Sequence, residues 1–165
     1  MENPVIGIVM GSASDRPIME EAARILERFS VLYEMIVASA HRSPERTREY
    51  ARTAQERGLQ VIIAGAGGAA HLAGSIAAET VLPVIGVPID SSPLKGMDAL
   101  LATVQMPAGV PVATMAVGKA GAKNAGILAV QILSLHHPEL QKKLLEYKKE
   151  LALQVEVAAG KVTKG

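Results

Sequence analysis

An α/β fold with a parallel sheet between two layers of helices is the class that this sequence predicts, on three observations. Short apolar runs alternate with segments of helical periodicity along most of the chain. Two of these runs, Val5-Ile6-Gly7-Ile8-Val9 and Val61-Ile62-Ile63, are unbroken, as strands covered on both faces require. Four of the runs end in small, polar or glycine-rich residues, and such strand ends are where open α/β sheets bind ligands.

The elements follow in order. Val5 to Met10 is the first strand. Asp15 is placed to cap the helix after it, Pro17 sits near the first turn, and Ile18, Ala22, Ile25 and Phe29 recur at helical spacing. A second strand covers Tyr33 to Ala38. Ser43 is placed to cap the next helix, with Pro44 at its first position and Gly58 at its end. Strand three is Val61 to Ala64, followed by a short helix over His71 to Thr80. Strand four is Val84 to Ile89, helix four Lys95 to Val104, strand five Val112 to Val117 and helix five Gly121 to Leu135. Strands and helices alternating in this way, joined by right-handed crossovers, make a three-layer α/β/α sandwich of about five parallel strands, flavodoxin-like or Rossmann-like in topology. The expected core is about 5–135 of a single domain. A C-terminal amphipathic helix is expected over 138–158, its stripe made by Leu140, Leu144, Tyr147, Leu151, Val155 and Ala158. Such a helix covers its own domain or reaches onto a neighbouring subunit. Residues 160–165 are expected to fray.

Composition narrows the function. The chain has 165 residues, 49% of them hydrophobic, which favours a packed globule over disorder. Aromatic residues make up only 2%, so platforms for stacking bases are nearly absent, and a net charge of +1 without a basic stripe argues against nucleic acid. Cysteine is absent, which removes disulfides, thiolate metal ligands and a cysteine nucleophile. Residues 61–78 carry no charge, but four glycines, Ser75 and His71 in a strand–turn–helix pattern argue against a membrane span. No basic and apolar leader precedes the first strand, so a cytoplasmic protein is expected.

Gly11-Ser12-Ala13-Ser14-Asp15 gathers hydroxyls and free N–H groups at a helix start, an arrangement that suits phosphate. No P-loop lysine follows it. Gly65-Ala66-Gly67-Gly68-Ala69-Ala70 matches G-x-G-x-x-A, with Asp90 about twenty residues on, and keeps a dinucleotide-dependent oxidoreductase open. Ser39-Ala40-His41-Arg42-Ser43-Pro44 is the most informative stretch. His41 can give and take a proton within one catalytic cycle, and Arg42 offers a fixed cation to a phosphate. His41 and His71 lie in different strand-end loops without a carboxylate that would complete a metal site. His136 and His137 read as a solvated junction, and Lys119 and Lys123 as one exposed helical face. The residues thus predict histidine acid–base chemistry on a phosphate-bearing small molecule, without a metal or redox cofactor.

Gly11-Ser12-x-Ser14-Asp15, Ser39-Ala40-His41-Arg42 and Gly65-Ala66-Gly67-Gly68-Ala69-Ala70-His71-Leu72 resemble the hallmark loops of the N5-carboxyaminoimidazole ribonucleotide mutases, the class I PurE family of purine synthesis. Val104-Gln105-Met106-Pro107 and Lys123-Asn124-Ala125 continue the resemblance over residues 5–135. It implies a flavodoxin-like homo-octamer whose last helix packs on other subunits, and an isomerase that moves a carboxylate from N5 to C4 of the aminoimidazole ring through transient carbon dioxide. It implies no cofactor. His41 would be the acid–base group. Ser12, Asp15 and Arg42 would hold the ribotide with Ser14 and Ser39 alongside, and the Gly67 loop with His71 would face the imidazole and carboxylate. Ser43 stands where threonine is frequent, Ala73 where proline is usual, and Ala99 and Ala102 where serine is usual. The related carboxylases, which take free carbon dioxide, usually carry lysine after the histidine, where this chain has Arg42. A non-enzymatic nucleotide-sensing module would need the histidines to be dispensable.

Overall fold

The computed structural model describes residues 3–162. Its elements are β1 (Ile6–Met10), α1 (Arg16–Arg28), β2 (Tyr33–Val37), α2 (Pro44–Thr53), β3 (Val61–Gly67), α3 (Leu72–Ala77), β4 (Val84–Ile89), α4 (Met97–Val104), β5 (Ala113–Thr114), α5 (Lys119–Ser134) and α6 (Pro138–Val162). Two compact units divide the chain, one up to Val130 and one from Gln131, so the boundary falls inside α5.

All five strands are parallel, in the order β2-β1-β3-β4-β5. The register sets Ile6 opposite Tyr33 on one side and Val61 on the other. The unbroken apolar runs become β1, β3 and β4. Ile6, Ile8, Ile62, Ile63 and Ile85 are fully buried, each contributing about 1.5–3 kcal/mol of transfer free energy. Alternation divides these side chains between two faces. On one face Val9, Ile62 and Ala64 join Tyr50 and Ala51 of α2, Ala54 just past its end, and Leu72, Ala73 and Ile76 of α3 in one buried cluster. On the other, Gly65 lies against Met19 of α1, and Gly126 of α5 lies against Ala22 and Ile25.

β2 is half-buried, because it lies at an edge of the sheet. Two elements are shorter than expected, each for a physical reason. β5 shrinks to two residues. Met115 N–H still donates to Gly86 O, but Pro88 has no N–H for the carbonyl that should follow, so the ladder stops there. Regular helix in α2 ends at Thr53, and looser turns continue to Gly58. Gly58 takes φ +93 while Leu59 N–H reaches back to Ala54 O, a Schellman closure.

α6 runs to Val162, through Gly160, where fraying is expected from the sequence; residues 163–165 of that expected tail lie outside the described residues. A single helical glycine costs only about 1 kcal/mol against alanine. Leu140 and Leu144 are buried, whereas Leu151 and Val155 of the same stripe are exposed.

Gly7 of β1 is occupied by necessity: a Cβ there would run into the Tyr50 hydroxyl. Gly7→Ala should lower unfolding free energy by about 1–3 kcal/mol, as overpacking does. Adding Tyr50→Phe should recover part of that loss in denaturant titrations, and strictly additive effects would contradict the contact.

Candidate active site

The chain runs from β1 outward to β2 and then back across β1 to β3. Neighbouring strands β1 and β3 therefore send their connections in opposite directions, and a crevice opens beyond their C-terminal ends. A cavity of about 250 Å³ occupies that place. Its walls come from four strand ends: Gly11, Ser12, Ser14 and Asp15 after β1, Ser39 to Arg42 after β2, Ala66, Gly67, Ala69 and Leu72 around the end of β3, and Ser91 after β4.

The first wall is a turn closed on itself. Residues Ala13–Asp15 form one 3-10 turn with Ser12 as its cap. Ser12 Oγ accepts from Ser14 N–H at 3.3 Å, and Asp15 Oδ2 accepts from Ser12 N–H at 3.1 Å. The cap of this segment is thus Ser12; Asp15 reaches backward and makes no side-chain cap bond to α1. Ser14 Oγ donates to Ser12 Oγ at 2.9 Å, so both predicted hydroxyls share one small network. Asp15 is only 5% exposed. Burial raises its carboxyl above the usual range, against the opposing pull of Ser12 N–H, the Ser14 hydroxyl and the Arg42 charge.

The second wall carries His41 and Arg42. Ser43 stands at the N-cap of α2, as the sequence predicts, yet its hydroxyl makes no capping bond. It accepts instead from Ser39 N–H at 2.9 Å and donates to Ser39 O at 3.2 Å. Ser39 Oγ in turn accepts from Arg42 N–H at 3.2 Å. Two serines four residues apart therefore tie the loop into a ring that carries His41 and Arg42. Arg42 Nη2 donates to Gly11 O at 3.1 Å, tethering the guanidinium to the end of β1.

Across the cavity, His41 Nε2 lies 2.8 Å from His71 Nδ1, with the rings nearly perpendicular at 82°. His71 precedes α3 and is exposed, as is His41. Gly67 is required by close approach, since a Cβ there would collide with Ser91 Oγ. The glycine-rich segment is not the turn of a dinucleotide fingerprint. Gly65 and Gly67 belong to β3 itself, and the helix that follows has six residues. Ala73 is buried inside that helix.

Seven of the eight predicted site residues thus line one cavity, and the eighth, His71, is bonded to His41. Ser91 was missed. Its signal in the sequence is the polar run Asp90-Ser91-Ser92 that follows β4; Asp90 of that run does not line the cavity. Lys119 is exposed away from the lining, Lys123 Nζ lies 3.5 Å from Glu21 Oε2, and His137 Nδ1 lies 3.4 Å from Glu139 Oε1. Among the described residues no three histidine or acidic side chains cluster as metal ligands would. No described helix is long and apolar enough to cross a membrane.

The family described as AIR carboxylase matches residues 5–154. Among similar proteins, one from Pyrococcus horikoshii is 60% identical over 158 residues, 96% of this chain and 88% of its own length. One from Thermotoga maritima is 57% identical over 152 residues (92% and 88%), and one from Bacillus subtilis 61% identical over 143 residues (87% and 88%). All three carry the name N5-carboxyaminoimidazole ribonucleotide mutase. The crystal structure of Treponema denticola PurE is similar with a TM-score of 0.84 at 27% identity, over 93% of this chain and 94% of that one.

The Asp15 carboxyl generates a pH signature. An acid whose folded pKa is raised contributes stability that is full below its unfolded value and lost as pH rises through its folded value. Asp15→Asn keeps an acceptor for Ser12 N–H and removes the titration. The stability of the variant relative to the parent should therefore rise as pH climbs from the ordinary carboxylate range through the raised folded pKa of Asp15, and then level off. Denaturation at a series of pH values checks this, and a difference independent of pH would refute the assignment.

Proposed function

The chain belongs to the AIR carboxylase family, and we propose that it works as a mutase through one histidine and one phosphate-binding arginine carried on the same loop. The activity follows from relatives 57–62% identical: N5-carboxyaminoimidazole ribonucleotide is converted to 4-carboxyaminoimidazole ribonucleotide in purine biosynthesis. The observation that carries the mechanism is the meeting of His41, Arg42 and the Ser12–Asp15 turn around one cavity.

The bookkeeping needs one proton-exchanging group. The N5–carboxylate bond breaks, carbon dioxide is released, and N5 takes a proton from the imidazolium of His41. C4 of the electron-rich ring then attacks the trapped carbon dioxide. The C4–H bond breaks, and the proton returns to His41, which regenerates the starting charge. Arg42 pairs with the phosphate, using guanidinium N–H groups beyond the one held by Gly11 O. Ser12, Ser14, Asp15 and Ser39 hold the ribotide beside it, and Gly67, kept free of a side chain, lets the ring approach the backbone of β3. The reaction draws on no added cofactor in this reading, and the protein acts in the cytoplasm.

We further propose that the working form is a homo-octamer. His41 is exposed in the single chain, while the chemistry needs carbon dioxide to be kept from escaping. A neighbouring subunit supplies the missing wall. Leu151 and Val155, exposed on the outer half of α6, are part of the contact surface.

Three experiments test these readings. With N5-carboxyaminoimidazole ribonucleotide and no bicarbonate, turnover should be rapid, whereas dependence on bicarbonate would indicate the carboxylase reaction instead. In that assay His41→Asn should lose about 10²–10⁴-fold in kcat with ribotide binding kept. Arg42→Ala should weaken ribotide binding by about 1.5–3 kcal/mol in calorimetry. In light scattering, Leu151→Glu combined with Val155→Glu should yield smaller species, because two apolar contacts worth about 1.5–3 kcal/mol each are lost per subunit. An unchanged assembly would remove α6 from the interface.

A further inference from the structure

Two imidazoles placed nitrogen to nitrogen at 2.8 Å share a single hydrogen, so one ring must donate and the other accept. The contact joins loops 30 residues apart in the chain and sets the rings edge to face at a centroid distance of 4.9 Å. Both side chains are exposed, so the contact is not forced by core packing. Among the described residues, the other nitrogen of His41, Nδ1, has no protein partner. The charged groups around the same cavity are Asp15 and Arg42, and each is committed elsewhere: Asp15 to the Ser12 N–H, Arg42 to Gly11 O.

We infer that His71 is a positioning residue for His41: its Nδ1 accepts the Nε2–H of His41, which fixes the tautomer that leaves Nδ1 of His41 as the atom exchanging protons with the substrate. This rests on the mutase reading and adds to it a role for His71 other than substrate contact. The proton balance supports the direction. Neutral His41 must offer a lone pair at the nitrogen that takes the proton from C4. With Nε2–H engaged by His71, that nitrogen is Nδ1. When Nδ1 gains the proton, the ring becomes an imidazolium whose Nε2–H bond to His71 is charge-assisted and therefore stronger. When Nδ1 gives the proton to N5, the ring returns to the same neutral tautomer without a ring flip. One nitrogen works while the other stays tethered, so the ring keeps its aim through both half-reactions. An aliphatic side chain at position 71 would leave His41 free to rotate and to populate the unproductive tautomer.

The experiment compares His71→Gln with His71→Leu, together with nitrogen NMR of the imidazoles in the full-length unliganded protein. Glutamine retains a carbonyl acceptor and leucine has none. His71→Leu should lose about 10–100-fold in kcat with KM within a factor of about 3, and His71→Gln should recover most of that loss. In the parent protein the NMR should find the neutral His41 ring protonated at Nε2, and His71→Leu should show a mixture of tautomers. A loss expressed mainly in KM would make His71 a substrate contact and overturn the proposal. So would equal losses in both variants, or a His41 protonated at Nδ1 in the parent. Absence of mutase turnover in the parent would overturn the functional reading instead, and the NMR result would still decide the pairing.

Discussion

The position of β1 in the middle of its own connections is the constraint on which the rest of this structure depends. Because the chain leaves β1 for one neighbour and later returns to the other, strand ends from both halves of the sheet converge without any helix lying over them. The buried sheet supplies the rigidity. β1, β3 and β4 are covered on both faces, and their isoleucines leave little freedom for a strand to slide by a residue. Side chains carried just past those ends inherit fixed positions from a core that takes no part in the chemistry.

Precision at the site comes from short-range hydrogen bonds rather than from burial. Ser12 and Asp15 satisfy each other's backbone and side chain within four residues, and Ser39 and Ser43 do the same one strand away. Such rings cost little conformational entropy, since the residues they join are already close in sequence. They also free the neighbouring polar groups for a ligand. The price falls on Asp15, a buried carboxyl pushed upward, and this is the kind of perturbed group that functional sites collect.

Exposure has a different meaning in the two units. In the first, the exposed histidines stand at the mouth of a cavity, where a reacting molecule must enter. In the second, the inner half of the apolar stripe of α6 is buried and the outer half is not. Leucine and valine facing water along several turns of a helix mark a surface that suits a contact, and the proposed assembly rests on that feature of α6.

The alternation of strands and helices, the four loops that line the cavity, and most of the polar residues gathered in them were legible in the amino-acid sequence. They rest on periodicity and turn chemistry, which act over a few residues. Even Gly58 takes the left-handed conformation that its residue type implies, in the turns after α2. Tertiary structure decided what depends on neighbours distant in the chain. Strand order made β2 an edge, and Pro88 of β4 cut β5 to two residues. Ser43 turned from its own helix to Ser39, because the ring could form only once the loop had its shape. Ser91 entered the cavity because Gly67 left it room. The contact between His41 and His71 belongs to the same class: each histidine can be read from its own loop, but the 2.8 Å between them exists only because β1 holds β2 on one side and β3 on the other.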